Sequence, residues 1–279
     1  MNKKYYLWLE IIRKNNPSIN IEYIKNNISH SNINALLKED DSKDVKLDVG
    51  IEKCFLDKNI KEKVCYLYNK IENDGLDIIT IEDKRFPKKL LLNKNCPFCI
   101  IVSKEFRHNL NNNIAYIYYD AYFSKSALSI IKYNYKVITN YNVEVISEYE
   151  DVDAIKIECL EKYLNNDIKD NYLFSLDDYI FLINDKEEVI KLIDIALIVE
   201  AKYDRKIVKI VDYMLEKSKP ILVFPNSIFN KNGFFSNYLI KQGADVILNK
   251  NDLIFALNTL SCWLFFYICY IIFMRKEEI

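Results

Sequence analysis

The sequence reads Ala196-Leu-Ile-Val-Glu-Ala201 and, further on, Pro220-Ile-Leu-Val-Phe-Pro225, and these two apolar stretches are its clearest structural signal. The uncharged runs 195–199 and 221–224 are typical of parallel strands that helices cover on both faces. Between them, Tyr203–Ser218 carries apolar residues at spacings of three and four, which predicts an amphipathic crossover helix. Strand, helix and strand together predict an α/β fold, with a Rossmann-like, mostly parallel sheet flanked by helices.

End signals place further elements around this unit. Asp204 is expected to cap the crossover helix, and Gly243 to end a helix over 234–242, with a short strand at Val246–Leu248. Earlier in the chain, extended segments are predicted at Leu76–Ile81, Ile114–Tyr118, Lys136–Thr139 and Val143–Ile146, with a helix through Phe123 and Ile131.

The chain divides into three regions that differ in their pattern of apolar residues. Residues 1–66 contain short segments of helical periodicity (Tyr5–Ile12, Ile19–Ile28, Ile33–Leu37 and Ile60–Tyr68), which predict a small helical N-terminal domain. Residues 67–250 are assigned to the Rossmann-like domain, and residues 251–279 form an apolar C-terminal tail.

Composition limits the classes of function. The 279 residues, half of them hydrophobic and 28% charged, are those of a globular chain with a sizeable core. The formal net charge of −1 gives no global signal for nucleic acid, so only a local basic patch could bind it. Seven scattered cysteines and no signal peptide favour a reducing cytoplasm.

The ordered motifs resemble the DprA/Smf family of DNA-processing proteins. An opening helix with Tyr5-Tyr-Leu-Trp-Leu9 is followed by the lead-in Gly75-Leu-Asp-Ile-Ile-Thr-Ile-Glu-Asp-Lys-Arg-Phe-Pro-Lys-Lys-Leu90. The Val-Glu-Ala strand end, a proline-ended strand and a closing Gly…Asn-x-Leu-Ile-x-x-Gly-Ala follow in the order of the family. The matching residues are Glu200, Ala201, Pro225, Gly233, Asn237, Leu239, Gly243 and Ala244.

This resemblance implies a function and partners. Proteins of this family are understood to bind incoming single-stranded DNA as dimers and to help load the RecA recombinase during natural transformation and DNA recombination. By resemblance we therefore expect a cytoplasmic, non-enzymatic DNA-processing protein, with single-stranded DNA, a RecA-type recombinase and a second copy of the chain as partners. No cofactor, metal or catalytic residue is expected.

The chain departs from the family where the family binds phosphate. The first-strand motif Val-Gly-[Ser/Thr]-Arg corresponds here to Ile117-Tyr-Tyr-Asp120, and the Arg-Asn-Arg motif to Asp185-Lys-Glu187. Phosphate loops use glycine so that backbone amides can approach closely, and this chain has only four glycines. The same scarcity argues against a nucleotide N-glycosidase, an activity found on similar folds. Weakened DNA binding is the expectation, and a degenerate paralogue acting only as an interaction module is the alternative.

Residues that could still contact DNA lie near the strand ends. Tyr118 and Tyr119 could stack bases, whereas Tyr116 is expected in a buried strand. Basic residues nearby could touch phosphates, although a solvated helix face is the favoured interpretation. The basic candidates are Lys186, Lys202, Arg205 and Lys206. Glu200, at the end of a strand, could bind a ligand hydroxyl, act as a base, or cap a nearby turn.

Two other features have ordinary alternatives. Cys96-Pro-Phe-Cys99 has the spacing of half a zinc site, but without a second such pair we expect ordinary buried cysteines. Leu253–Met274 has no charged residue and is long enough to span a bilayer, which about 20 apolar residues can do. A membrane tail anchor therefore competes with a truncated or out-of-frame end, while its first part, through Thr259, is expected to form the last helix of the Rossmann-like domain.

Overall fold

The computed structural model describes residues 3–16, 19, 57–93, 95–119, 123–147, 154–159, 179–182 and 190–260. Contacts divide the chain into two compact units. The first unit falls within Met1–Asn111 and Lys156–Lys191, and the second within Asn112–Ile155 and Leu192–Ile279. This division differs from the sequence boundaries at 66 and 250, since residue 66 lies inside a helix that packs on the first unit's sheet.

The first unit combines helices with a mixed sheet. Its elements, numbered over the described residues of the whole chain, are α1 (Lys3–Asn15), α2 (Lys58–Asn73), β1 (Leu76–Thr80), α3 (Lys88–Leu91), β2 (Cys99–Ser103), β5 (Lys156–Cys159) and β6 (Tyr179–Leu182). The strands lie in the order β1-β2-β6-β5. The β1–β2 and β2–β6 pairs are antiparallel and the β5–β6 pair is parallel. The predicted helices at Tyr5–Ile12 and Ile60–Tyr68 are confirmed, whereas Ile19–Ile28 and Ile33–Leu37 lie outside the described residues, apart from Ile19 itself.

An ionic contact at the surface of this unit ties α1 to β1. Asp77 on β1 accepts a hydrogen bond from Lys3 and forms an ion pair with Arg85 at 2.9 Å. Burial raises the pKa of Asp77, but the bonds from Lys3 and Arg85 outweigh it and hold the pKa below its usual value. The stabilisation is therefore complete above the ordinary carboxyl pKa and is lost as the pH falls through the lowered value.

A second ion pair, between Glu10 and Arg13, is buried. Arg13 Nη2 lies 2.5 Å from Glu10 Oε1, and Arg13 Nη1 donates to the carbonyl of Asn95 at 3.3 Å. The other carboxylate oxygen, Glu10 Oε2, accepts from the backbone N–H of Phe98 at 2.8 Å. The pair therefore joins α1 to residues 95–98, the segment that contains Cys96 and leads into β2 at Cys99. Both cysteines are buried, as the sequence predicts.

Replacing Glu10 with Gln tests this buried pair. Glu10→Gln leaves the Arg13 guanidinium buried beside a neutral group, and we expect the free energy of unfolding to fall by about 3 kcal/mol. Glu216→Gln is the control, because Glu216 pairs with Lys217 on the surface and such pairs contribute at most about 1 kcal/mol. Urea unfolding measures both, and equal losses would contradict the assignment.

The second unit is built on a parallel sheet. Its elements are β3 (Ile114–Tyr119), α4 (Lys125–Thr139), β4 (Glu144–Ser147), β7 (Ile195–Glu200), α5 (Arg205–Glu216), β8 (Ile221–Val223), a 3-10 turn (Lys231–Gly233), α6 (Phe234–Lys241), β9 (Asp245–Val246) and a helix α7 at 250–260. The strand order is β4-β3-β7-β8-β9, and every neighbouring pair is parallel. The predicted fold class is confirmed.

Helices cover both faces of this sheet. On one face Ile131 and Ile138 of α4, with Leu253 and Leu257 of α7, join Leu197 of β7 in one buried cluster. On the other face Lys206 of α5 lies over the rings of Tyr116 and Tyr118, whose side chains alternate with the clustered Ala115 and Ile117 along β3. α5 and α6 both contact β7.

Two local predictions need correction, and the tail is only partly described. Lys136–Thr139, expected as a strand, forms the last turn of α4, because Val137 and Ile138 pack into the sheet core from the helix. The last strand is Asp245–Val246 rather than Val246–Leu248. The first part of the tail is the predicted final helix, whereas residues 261–279 lie outside the described residues. Within the described part, no helix is both long and apolar enough to cross a membrane.

Candidate functional site

The order of the strands creates a switch point between β3 and β7. From β3 the chain crosses through α4 to β4 on one side, and from β7 it crosses through α5 to β8 on the other. In open α/β sheets, ligands bind in the crevice outside the carboxyl ends of two such strands. Here those ends are Tyr119 and Glu200, which are register partners. The helices that follow, α4 and α5, begin beside this crevice.

The N-terminus of α4 is bound to a carboxylate of the protein itself. Glu200 is completely buried, and its Oε2 accepts a hydrogen bond of 2.7 Å from the backbone N–H of Ser124, the N-cap residue of α4. Glu200 Oε1 accepts from the side-chain amide of Asn230. A helix N-terminus attracts anions through its exposed N–H groups and its dipole. The contacts therefore favour the interpretation that Glu200 caps this turn, over the alternatives that it binds a ligand or acts as a general base.

The N-terminus of α5 also has a carboxylate beside it. Asp204 is the N-cap residue, as the sequence predicts, and its Oδ1 accepts from the backbone N–H of Ile207 at 2.9 Å. Asp204 Oδ2 accepts from the hydroxyl of Tyr118 at 2.6 Å. Both helices that begin at the switch point thus have a negative charge where a phosphate would be expected to bind.

Asparagine side chains hold the loop after β8 in place. Asn226 N–H donates to Asn237 Oδ1 and Asn237 Nδ2 donates to the Asn226 carbonyl, both at 2.9 Å. Asn226 Nδ2 also donates to the carbonyl of Val199 on β7 at 2.9 Å. A Cβ on Gly233 would lie only 2.3 Å from Asn226 Cβ, so this close approach requires glycine. The Gly-x-x-x-Asn motif is thereby explained by packing of the loop against α6.

The other motif residues support the same region. The backbone N–H of Ala201 donates to Ser236 Oγ at 3.0 Å, and the Ala201 carbonyl accepts from Phe235 N–H at 3.0 Å. After α6, Gly243 has φ of 99°, the left-handed conformation predicted for a residue that ends a helix, and Ala244 N–H donates to the Leu239 carbonyl at 3.0 Å. Pro225 is exposed, two residues after the end of β8.

The DNA-binding candidates are not gathered into one open surface. Tyr118 is only 4% exposed and Lys206 lies 5.9 Å above its ring, so no base can reach that face in this conformation. Tyr119 packs edge-on against Phe123, with ring centroids 5.1 Å apart. Arg205 is exposed, whereas Lys202 is half-buried. Lys186 lies outside the described residues.

Sequence reasoning missed the polar partners and one aromatic group. Ser124, Asn226 and Asn230 have no recognisable motif, because their roles depend on loops that meet only in the folded sheet. Tyr203 and Phe234 are large exposed aromatic residues close to the predicted basic cluster. Their position beside Arg205 and Lys231 in the sequence was the available signal. In the described part of the chain, no group of three or more His, Cys, Asp or Glu side chains could hold a metal ion.

Comparison with known proteins relates this architecture to one group of structures. No family model matches the chain, and no curated protein matches it significantly. DNA processing protein A (DprA) from Streptococcus pneumoniae is similar in structure, with a TM-score of 0.52 and 14% sequence identity over 90% of this chain and 96% of that one. The chain has a DprA-like fold. DprA from Helicobacter pylori, whose structure concerns its single-stranded DNA binding mode, aligns with a TM-score of 0.47 and 15% identity over 68% of this chain and 95% of that one.

Replacing Glu200 tests its role at the DprA-like switch point. In Glu200→Gln only one side-chain atom accepts hydrogen bonds, so either Ser124 N–H or the Asn230 amide loses its partner. We expect the free energy of unfolding to fall by about 2 kcal/mol. Asp212→Asn, an exposed change on α5, should stay within about 0.5 kcal/mol of the original protein. Urea unfolding compares the two variants, and a Glu200→Gln protein as stable as the control would refute the capping role.

Proposed function

We propose that this protein is a non-enzymatic DNA-processing protein of the DprA kind, which binds single-stranded DNA and assists loading of a RecA-type recombinase in DNA uptake and recombination. The observation that carries the proposal is the DprA-like fold, which extends over 90% of the chain. The motifs of the sequence, from the lead-in at Gly75 to Ala244, support the same function. Single-stranded DNA is the ligand named for the Helicobacter pylori protein.

The charge distribution supports a nucleic-acid ligand. Residues 201–241 contain eight basic and three acidic residues, a net charge of +5, in a chain whose overall charge is −1. One of the three acids, Asp204, is held by Tyr118 and by the helix it caps. This local basic excess lies on the segment between β7 and β9. Arg205, in the first turn of α5, and Lys231, in the turn before α6, lie towards the carboxyl edge of the sheet, whereas Lys219 lies at the opposite edge beside Ile193 and Asp194. Such an excess attracts phosphate backbones without regard to sequence.

The mode of binding follows from the two occupied helix N-termini. Glu200 at α4 and Asp204 at α5 place a carboxylate at each helix N-terminus of the switch point, where it would repel a phosphate cradled by backbone amides. Contacts to DNA would then come from exposed side chains, such as Arg205 on α5 and Lys231 in the 3-10 turn. Binding of this kind is weaker than that of a glycine-rich cradle and depends strongly on salt.

The remaining parts of the proposal come chiefly from the resemblance. They are a homodimer as the active form, a location in the cytoplasm, and the absence of a catalytic step. The scarcity of glycine supports the last of these, because nucleotide-cleaving enzymes of similar fold need a phosphate loop.

An interaction module without DNA binding is the second candidate. The same carboxylates favour it, because they place negative charge where related folds bind anions. On this hypothesis the protein pairs with an intact homologue or another protein, and the DprA-like body serves only as a scaffold. Co-purification with such a partner, together with no measurable DNA binding, would identify it.

Fluorescence anisotropy with labelled oligothymidine of about 20 nucleotides tests the proposal at two salt concentrations. We expect micromolar affinity at about 50 mM salt. At about 200 mM salt the affinity should be about tenfold lower or weaker still, which is the salt dependence expected of about three phosphate contacts. Arg205→Ala should weaken binding and flatten the salt dependence. Lys136→Ala, an exposed change on α4 at the opposite face of the sheet, is the matched control. No binding at the lower salt concentration would overturn the DNA-binding role and favour the interaction module.

A further inference from the structure

Three aromatic rings form an array beside the carboxyl edge of the second unit. The rings of Tyr203 and Phe235 meet edge-to-face with centroids 5.3 Å apart. Phe235 and Tyr238 stack with centroids 5.9 Å apart and planes inclined by 17°. The outer two rings are open to solvent, since Tyr203 is 72% exposed and Tyr238 is 46% exposed. The buried ring of Phe235 thus lies between two exposed tyrosine rings, Tyr203 and Tyr238, and contacts both.

A fourth aromatic residue and a cation extend this array along α6. Phe234, Tyr238 and Lys241 follow one another at spacings of four and three residues, which places them on one face of the helix. Phe234 is 68% exposed, and Lys241 is exposed as well. We call the exposed side chains of Tyr203, Phe234 and Tyr238 the aromatic platform.

The backbone beneath the aromatic platform is firmly held. Phe235 N–H donates to the Ala201 carbonyl at 3.0 Å, and Ala201 N–H donates to the buried Ser236 Oγ at 3.0 Å. Asn237 is fixed by its paired bonds to Asn226. The first turn of α6 and the loop carrying Tyr203 are therefore joined directly. Rings that are already positioned lose little conformational freedom when they bind a ligand.

The charges around the aromatic platform indicate its occupant. Arg205 lies two residues after Tyr203, Lys231 three residues before Phe234, and Lys241 three residues after Tyr238, and all three are exposed. No acidic residue occurs between Lys217 and Gln242. Exposed rings bordered by cations suit a ligand that has both flat apolar faces and negative charge. A single-stranded nucleic acid has this combination, because its bases stack on aromatic side chains while its phosphates bind Lys and Arg.

We propose that the aromatic platform stacks the bases of single-stranded DNA, while Arg205 and Lys241 contact the neighbouring phosphates. This inference rests on the proposed function and gives it a site outside the switch point, where Glu200 and Asp204 already place carboxylates at both helix N-termini. Stacking needs unpaired bases, so the platform binds single strands in preference to duplex. Because every base has a flat face, the sequence of the strand has little effect on affinity.

The test compares alanine and phenylalanine at the two tyrosines. Anisotropy with labelled oligothymidine at low salt should show about tenfold weaker binding for each ring removed in Tyr203→Ala and Tyr238→Ala. The double phenylalanine variant, Tyr203→Phe with Tyr238→Phe, keeps both rings and should bind as the original protein does. Tyr133→Ala is the matched control, because Tyr133 is 52% exposed on α4 and should leave the affinity unchanged.

Different outcomes overturn different claims. If the original protein binds DNA and a double alanine variant, Tyr203→Ala with Tyr238→Ala, binds equally well, the aromatic platform is refuted while the proposed function stands. Loss of binding in the phenylalanine variant as large as in the alanine variant would refute stacking, because only the hydroxyls differ. If the original protein binds no DNA, the proposed function and the platform both fail. If both alanine variants keep their DNA affinity but lose a co-purifying protein, the surface is a protein interface instead.

Discussion

The carboxylate of Glu200 joins three parts of the second unit. It stands at the end of β7, accepts from Ser124 at the N-terminus of α4, and accepts from Asn230 in the loop after β8. A completely buried carboxylate needs such donors, since an unpaired buried charge is very costly. The loops at the carboxyl edge are therefore positioned by a charged group of the protein, and the rest of the edge, including the Asn226–Asn237 pair, is built around it.

The two carboxylates occupy the positions at which helix N-termini commonly bind phosphate. A DprA-like sheet brings two helix N-termini to one crevice, and in this chain both meet carboxylates, Glu200 at α4 and Asp204 at α5. Attraction for a polyanion must then come from side chains outside the crevice. Under the proposed function, Arg205, Lys231 and the aromatic platform supply such side chains beside the crevice. The proposed DNA-binding groups and the switch point are then neighbouring but different parts of the same unit.

Strands β1, β3, β4, β7 and β8 and the cap of α5 followed directly from sequence, because they depend on local apolar periodicity and on a single capping residue, Asp204. The end of α4 did not, since Val137 and Ile138 are β-branched and locally favour a strand, and only packing against the sheet makes them helical. Glu200 was found as a candidate, but its role depends on Ser124, which is 76 residues away in the chain. Tyr118 is at the predicted strand end, yet its ring is covered by Lys206 from a different element.

The most direct measurement is the NMR chemical shift of the Ser124 backbone amide during a titration with pyrophosphate, a small analogue of linked phosphates. If Glu200 occupies the Ser124 N–H at the start of α4, adding pyrophosphate leaves the Ser124 chemical shift of the original protein unchanged. In the Glu200→Ala variant, adding pyrophosphate changes that chemical shift. A saturable shift of the Ser124 amide in the unaltered protein would show that the crevice still accepts phosphate. That result would contradict the account given for the whole edge of the sheet.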